Sequence, residues 1–198
     1  MTRLNILFII FPVLLFIPTL TGCVSVPKPP AQLTQFDGRE VSLKKPCYLE
    51  ERVLNKFNTE VKTLWENGQP TGLVVDEGYA GKPVKTLKDS AGYSYFFPAT
   101  NYPHRRYTLT DDVKPIEWLK AGINFTGGPE GWRLGPHRVF FLPAGTKIFI
   151  TKVYSVVPFM HEPSYYVSGK VTVAEVNEEF TFEMFLGIGG DIHEPPWE

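Results

Sequence analysis

The sequence lacks an excess of either charge, with 20 Lys plus Arg against 21 Asp plus Glu. Without a basic surplus there is no face to meet nucleic-acid phosphates and no polybasic membrane patch. The signatures of catalysis are missing too. There is no Gly-x-Ser-x-Gly elbow and no phosphate-cradling glycine loop. Gly187-Ile188-Gly189-Gly190 has no helix pattern after it and reads as a turn. The four histidines, His104, His137, His161 and His193, form neither HExxH nor His-x-His. Asp191, His193 and a distant His could assemble a metal site, but a neighbouring His-Glu pair on a strand points to opposite faces and chelates poorly. No metal or other cofactor is implied. Asp111-Asp112 and Glu178-Glu179 suit a helix cap and a turn better than a carboxylate pair across a cleft. Internal repeats, low-complexity tracts and a hydrophobic C-terminus are absent as well.

What is present is globular. Hydrophobic residues make up 43% and aromatics 14%, enough to build a core rather than a disordered chain. The length suits one domain once a leader is set aside. Seventeen glycines and 18 prolines imply short elements separated by many turns, as in β-rich folds.

The single long apolar run lies at the start. Residues 1–3 are short and positive, residues 4–20 are apolar apart from Asn5 and Thr19, and Thr21-Gly22 precede Cys23. That is the layout of a secretory signal. A helix over 4–20 would reach only about 25 Å, short of a ~30 Å hydrocarbon core. Pro12 and Pro18 would also disturb it.

Leu20-Thr21-Gly22-Cys23 resembles the lipobox of bacterial lipoproteins. The resemblance covers only the first two dozen residues. It implies a diacylglyceryl group on the Cys23 thiol, cleavage before Cys23, and acylation of the freed amine. Two or more acyl chains hold a protein stably to a bilayer where one does not. Val24 stands where Asp often signals inner-membrane retention, so the resemblance implies the outer membrane, on its periplasmic side. Residues 1–22 are thus expected to be a lipoprotein signal peptide. Residues 23–35 follow as a lipidated, proline-rich tether reaching ~35 Å in polyproline II form. A packed N-terminal arm is the alternative. With Cys23 acylated, Cys47 has no intramolecular partner, and no structural disulfide is expected. Cys47 reads as a small buried apolar side chain. An intermolecular disulfide or a catalytic thiol is the alternative reading.

Residues 36–198 are expected to form one β-rich α+β domain, a small barrel or sandwich with one or two short helices. Residues 39–43 and 72–76 are strand candidates. Leu54, Phe57, Val61, Leu64 and Trp65 are spaced by threes and fours, which predicts a helix over 54–67 ended by Gly68. Asp111-Asp112, Pro115 and Gly122 frame a short helix over 113–121, and residues 124–131 form a loop. Beyond Arg138 a meander is expected, with strands over 139–142 and 146–157 joined by a turn at 143–145. Val167, Val171 and Val173 alternate with polar residues, as do Phe180, Phe182, Met184 and Leu186. A turn at Asn177-Glu178 would set Val173 opposite Phe182, Val171 opposite Met184 and Gly169 opposite Leu186. Residues 191–198 read as an extended tail.

Residues 93–107, YSYFFPATNYPHRRY, mix aromatics, turn-formers and arginines. That mixture is common at protein interfaces and can also stack on sugars. Tyr102, Arg105 and Arg106, with Trp132 after the glycine-rich loop, are the candidate partner contacts. The plainer reading sends Tyr95, Phe96 and Phe97 into the core. Taken together, the sequence suggests a lipid-anchored envelope protein that binds or scaffolds an envelope protein without catalysis. A pocket binder of glycan or lipid is the alternative, and a tethered hydrolase the third.

Overall fold

The computed structural model describes residues 27–75, 96–122, 132–157 and 162–198. The leader, Cys23, Val24, Tyr95, the 124–131 loop and His161 fall outside them. Strands take up 57% of these residues and helix 10%, so the chain is β-rich. A short helix, α1 (Ala31–Thr34), is followed by β1 (Arg39–Ser42), β2 (Cys47–Leu54), β3 (Glu60–Glu66) and β4 (Gln69–Val75). Next come β5 (Phe96–Pro98), a 3-10 turn (Ala99–Asn101), β6 (His104–Thr110) and α2 (Lys114–Lys120). The remainder is β7 (Trp132–Gly135), β8 (Arg138–Leu142), β9 (Lys147–Val156), β10 (Ser164–Val173), β11 (Glu178–Ile188) and β12 (Asp191–Ile192).

The strands join into one sheet in the order β1-β9-β10-β11-β6-β2-β3-β4-β5, with β12 on β11, β7 on β3 and β8 on β2. Its ladders are antiparallel except where β11 and β6 meet, at the single parallel pair Glu183 and Thr108. The sheet is open, so the closed-barrel expectation does not hold. It curls over its own core instead. Leu49, Leu109, Phe140 and Leu142 from β2, β6 and β8 cluster with Ile148, Ile150, Val167, Val171, Phe180, Phe182, Met184 and Leu186 from β9 to β11. A second, smaller core holds Val53, Val61, Val74, Ala99 and Tyr102, with Phe97 against it.

The helix expected over 54–67 is a hairpin. Asn55 ends β2, and its Oδ1 accepts the amides of Phe57 (2.9 Å) and Thr59 (3.0 Å). The Asn55 amide donates to the Thr59 carbonyl at 2.9 Å, and Asn58 takes φ 61°. This side-chain-to-backbone chemistry turns the chain where apolar spacing alone suggests a helix. Thr63, Leu64 and Trp65 are all buried, so both faces of β3 are covered. A strand covered on both faces loses the alternation by which strands are recognised. Gly68 does not end a helix. Asn67 (φ 50°) and Gly68 (φ 78°) form the two-residue turn between β3 and β4, where Glu66 pairs with Gln69. A side chain at Gly68 would meet the Lys120 carbonyl oxygen at 2.1 Å.

The 113–121 helix is α2. Asp112 Oδ1 accepts the Lys114 amide at 3.3 Å, and Gly122 leaves the helix with φ 68°. The β9–β10–β11 meander also forms, but with another register. Val173 faces Glu178, Val171 faces Phe180, Gly169 faces Phe182 and Val167 faces Met184. The turn spans 174–177 rather than 177–178. The Val173 carbonyl accepts the amides of Val176 (3.3 Å) and Asn177 (2.8 Å), and Asn177 has φ 53°. The slip is four residues. Because it is even, every apolar side chain keeps the inward face that alternation predicts.

Both ends of the body are tied down. Leu33 of α1 is buried in the first core, and Asp37 Oδ1 accepts the Val153 amide at 2.8 Å. Of the stretch expected as a tether over 23–35, the described part touches the body at two points: the Pro27 carbonyl accepts the Ser155 hydroxyl and Leu33 is buried, while Lys28, Ala31 and Gln32 stay exposed. The 191–198 segment is no loose tail. It contributes β12, and Trp197 is buried in the first core opposite Leu43. Ser42 and Glu198 exchange two backbone hydrogen bonds, at 3.3 and 3.1 Å.

Candidate functional site

β6 runs beside β2 over seven residue pairs but meets β11 at one, Thr108 with Glu183, which leaves a gap between the segments before that pair. The gap is a cleft of about 390 Å³ lined by Leu54, Asn58, Arg105, Arg106, Tyr107, Thr181, Phe182 and Glu183. Strand alternation divides the β6 side chains. Arg105 and Tyr107 turn to the Leu109 side. The Tyr107 ring lies tilted against Phe180, with centroids 4.7 Å apart. Arg106 turns outward and lies 4.0 Å from Glu183.

Arg105 is committed to the protein. Its Nε is 3.2 Å from Glu51 Oε1, and its Nη1 and Nη2 donate to the carbonyls of His104 (3.2 Å) and Ala99 (3.3 Å). Arg138 takes the other Glu51 oxygen at 3.2 Å and covers the Phe140 ring. Glu51 follows Leu49 and precedes Val53 on one side of β2, so this carboxylate sits between the two apolar cores with an arginine on each oxygen. Burial raises the Tyr107 hydroxyl above its ordinary value, and the Glu51 charge adds to it. Burial also lowers His137, whose amide donates to the Glu51 carbonyl at 2.7 Å.

On the outer side, Arg52 bridges Glu50 and Glu60, the latter at 2.6 Å, and Lys62 reaches Glu60 at 2.8 Å. Burial alone would raise the Glu60 carboxyl, but hydrogen bonds from Lys62 and Arg52 outweigh it and hold the group low. Cys47 is fully buried, and burial, reinforced by Asp111, pushes its thiol up to about 12. A thiol so protonated is inert as a nucleophile. Among the described residues no group of three or more His, Cys, Asp and Glu side chains could hold a metal ion.

The structure does not bring the four expected contact residues together on the surface. Tyr102 is 6% exposed and packs edge-on to Phe97 in the second core, so it is no exposed contact. Phe96 is buried with it, in line with the plainer reading. Arg105 is half-buried and pinned. Arg106 reaches the surface. Trp132 opens β7, paired with Glu66, and β7 is reached from β6 only through β2 and β3.

The residue missed by sequence reasoning is Phe57. Helical spacing places it on a buried face, yet it is 69% exposed at the tip of the β2–β3 turn, beside Asn58 of the cleft. The Lys56 ammonium lies 5.0 Å from its ring. The Asn55 hydrogen bonds fix the turn that carries it. Asn55, Asn58 and Thr59 are the signal for a turn, hidden inside an apparently helical spacing.

No family model, curated protein or solved structure matches this chain.

Proposed function

We propose that this chain is a lipid-anchored cell-envelope protein that captures an envelope protein partner without catalysing a reaction. Anchoring rests on Leu20-Thr21-Gly22-Cys23, with the outer membrane, facing the periplasm, as its place. The observation that carries the binding role is Phe57. An apolar ring held out by a hydrogen-bonded turn is exposed without paying for order on binding, which is what a rigid anchor residue requires. Arg106, outward and 4.0 Å from Glu183, lines the cleft that Asn58, the neighbour of Phe57, also lines, and supplies a charged donor there.

The cleft supports a second reading. Its volume falls in the range of small-ligand pockets, and Tyr107 and Arg106 suit a sugar or a lipid headgroup. Nothing supports the hydrolase reading at Cys47, whose thiol is buried and protonated.

A photo-crosslinking amino acid at position 57, in cells, tests the proposal. A discrete protein adduct is expected at 57 and not at 172. Phe57→Ala with Arg106→Ala should abolish a second, independent co-purification of that partner without lowering the melting temperature. Undiminished capture by the double variant would overturn the assignment. Saturable binding of a soluble glycan by that variant's parent, with no protein adduct, would favour the pocket.

A further inference from the structure

The outer face of β9, β10 and β11 changes character along the strands. Pairing places Val156, Ser164 and Ile188 in one row, and Tyr154, Tyr166 and Phe185 in the next. Lys152, Ser168 and Glu183 follow. The far end carries the ion pairs Lys170–Glu179 (2.9 Å) and Lys147–Glu40 (3.1 Å). The first two rows are thus apolar or aromatic apart from Ser164. Val156, Phe185 and Ile188 are each more than 40% exposed. The Tyr154 and Tyr166 rings stack at 5.7 Å, Phe185 lies 5.4 Å from Tyr166, and the Tyr154 hydroxyl donates to Glu183 Oε1 at 2.7 Å.

The N-terminal end of the described chain lies at this same end of the sheet. Ser155, between Tyr154 and Val156, pairs with core-facing Tyr165, so its side chain lies on the other face of the sheet from the two rows, and its hydroxyl donates to the Pro27 carbonyl there. Cys23 stands four residues before Pro27, a reach of at most about 14 Å. A lipid on Cys23 is therefore held near this end of the strands, within reach of their outer face only around the Val156 edge.

We propose that the Val156–Ile188 end of this sheet face rests on the phospholipid surface that holds lipidated Cys23. This depends on the anchoring reading above. Tyrosine rings with one wet end and aliphatic side chains beside them are the groups that settle at the headgroup boundary. Lys152 in the third row can extend its ammonium to lipid phosphates. Asp191, opposite Ile188, and Glu162, packed over Gly189, border the patch with negative charge. Basic and acidic groups at the rim offset each other, so contact depends on apolar insertion and does not need anionic lipid.

The experiment uses the full chain, processed in its bacterial host and reconstituted into phosphatidylcholine vesicles. Ile188→Cys and Thr172→Cys variants carry a nitroxide, since buried Cys47 does not label. Mass spectrometry first establishes the state of Cys23. With Cys23 lipidated, the label at 188 is expected to lose relaxation by a water-soluble nickel chelate while keeping relaxation by oxygen, and the label at 172 to stay open to nickel. Equal nickel access at both positions overturns the membrane face and leaves anchoring intact. Shielding at 188 with dipolar broadening between labels assigns the patch to a second copy and also overturns it. An unmodified Cys23 removes the anchoring reading itself. Amide exchange on the unaltered lipoprotein tests the same contact without a variant. Slowing over 185–188 and not over 170–173, relative to a Cys23→Ser chain in solution, is expected.

Discussion

Trp197 stands edge-on to Phe36, ring centroids 6.3 Å apart and planes at 88°, so the two ends of the folded body meet on one core. Phe36 follows α1, and Trp197 is next to the last residue. The pair closes the end of the first core where β1 runs out. Among the described residues the buried Trp197 Nε1 has no hydrogen-bond partner, so the ring contributes by its bulk.

Trp197→Ala is expected to lower the unfolding free energy by about 3–5 kcal/mol, the range for removing a large buried aromatic. Trp197→Phe should cost clearly less, because it keeps a ring on Phe36 and removes an unsatisfied donor. Urea denaturation of the three proteins checks both. A tail that merely trails from the body would give no loss in either variant.

Glu51 holds two guanidinium groups between two apolar cores. Glu51→Gln is expected to destabilise by about 2 kcal/mol, less than the 3–5 of a fully buried pair because Arg138 is half exposed to solvent. Adding Arg105→Met should recover part of that loss, since the unpaired charge goes with it. A double-mutant cycle in chemical denaturation measures the coupling.

Burial, first, holds the His137 imidazole below its ordinary value of 6.5; Glu51 pulls it up, while Arg105 and Arg138 push it down. The unfolded chain therefore takes up this proton at higher pH than the folded one. His137 contributes its full stability above pH 6.5 and loses it as pH falls through the folded value. Unfolding free energy measured between about pH 7.5 and 5.5 should fall with pH, and His137→Gln should flatten that slope.

Asn55→Ala removes the one side-chain oxygen that accepts two amides of the β2–β3 turn, and a loss of about 1 kcal/mol is expected. Its second effect is the informative one. Phe57 remains in place but its turn loosens, so capture of the crosslinked partner should weaken although no contact residue has changed.

How far each element is legible in the sequence depends on which force it follows. β10 alternates from Tyr165 to Val173 and β11 from Glu179 to Leu186 because one face is core and the other solvent, so their faces are legible. α2 is legible from its Asp, Pro and Gly punctuation. The β2–β3 hairpin is not, because β3 is covered on both faces and its neighbours fall by chance at helical spacing. The Asn67-Gly68 turn is in plain sight as an Asn-Gly pair, outweighed by that spacing. The hairpin register slips because a left-handed Asn177 closes a four-residue loop, a choice that local sequence does not decide. Trp197 gives no signal, since a core position near a chain end has no periodicity around it. Of the expected contacts, Arg106 is exposed and Tyr102 buried, because an aromatic in a mixed stretch serves a core as readily as a surface.

Lipid attachment underlies both the partner-capture and membrane-face proposals, and intact mass analysis of the protein from its natural host tests it most directly. The expected product begins at residue 23 and carries the added mass of a diacylglyceryl group, with a further acyl chain on the amine. A chain that retains residues 1–22, or one that begins at Cys23 with a free thiol, would contradict the account.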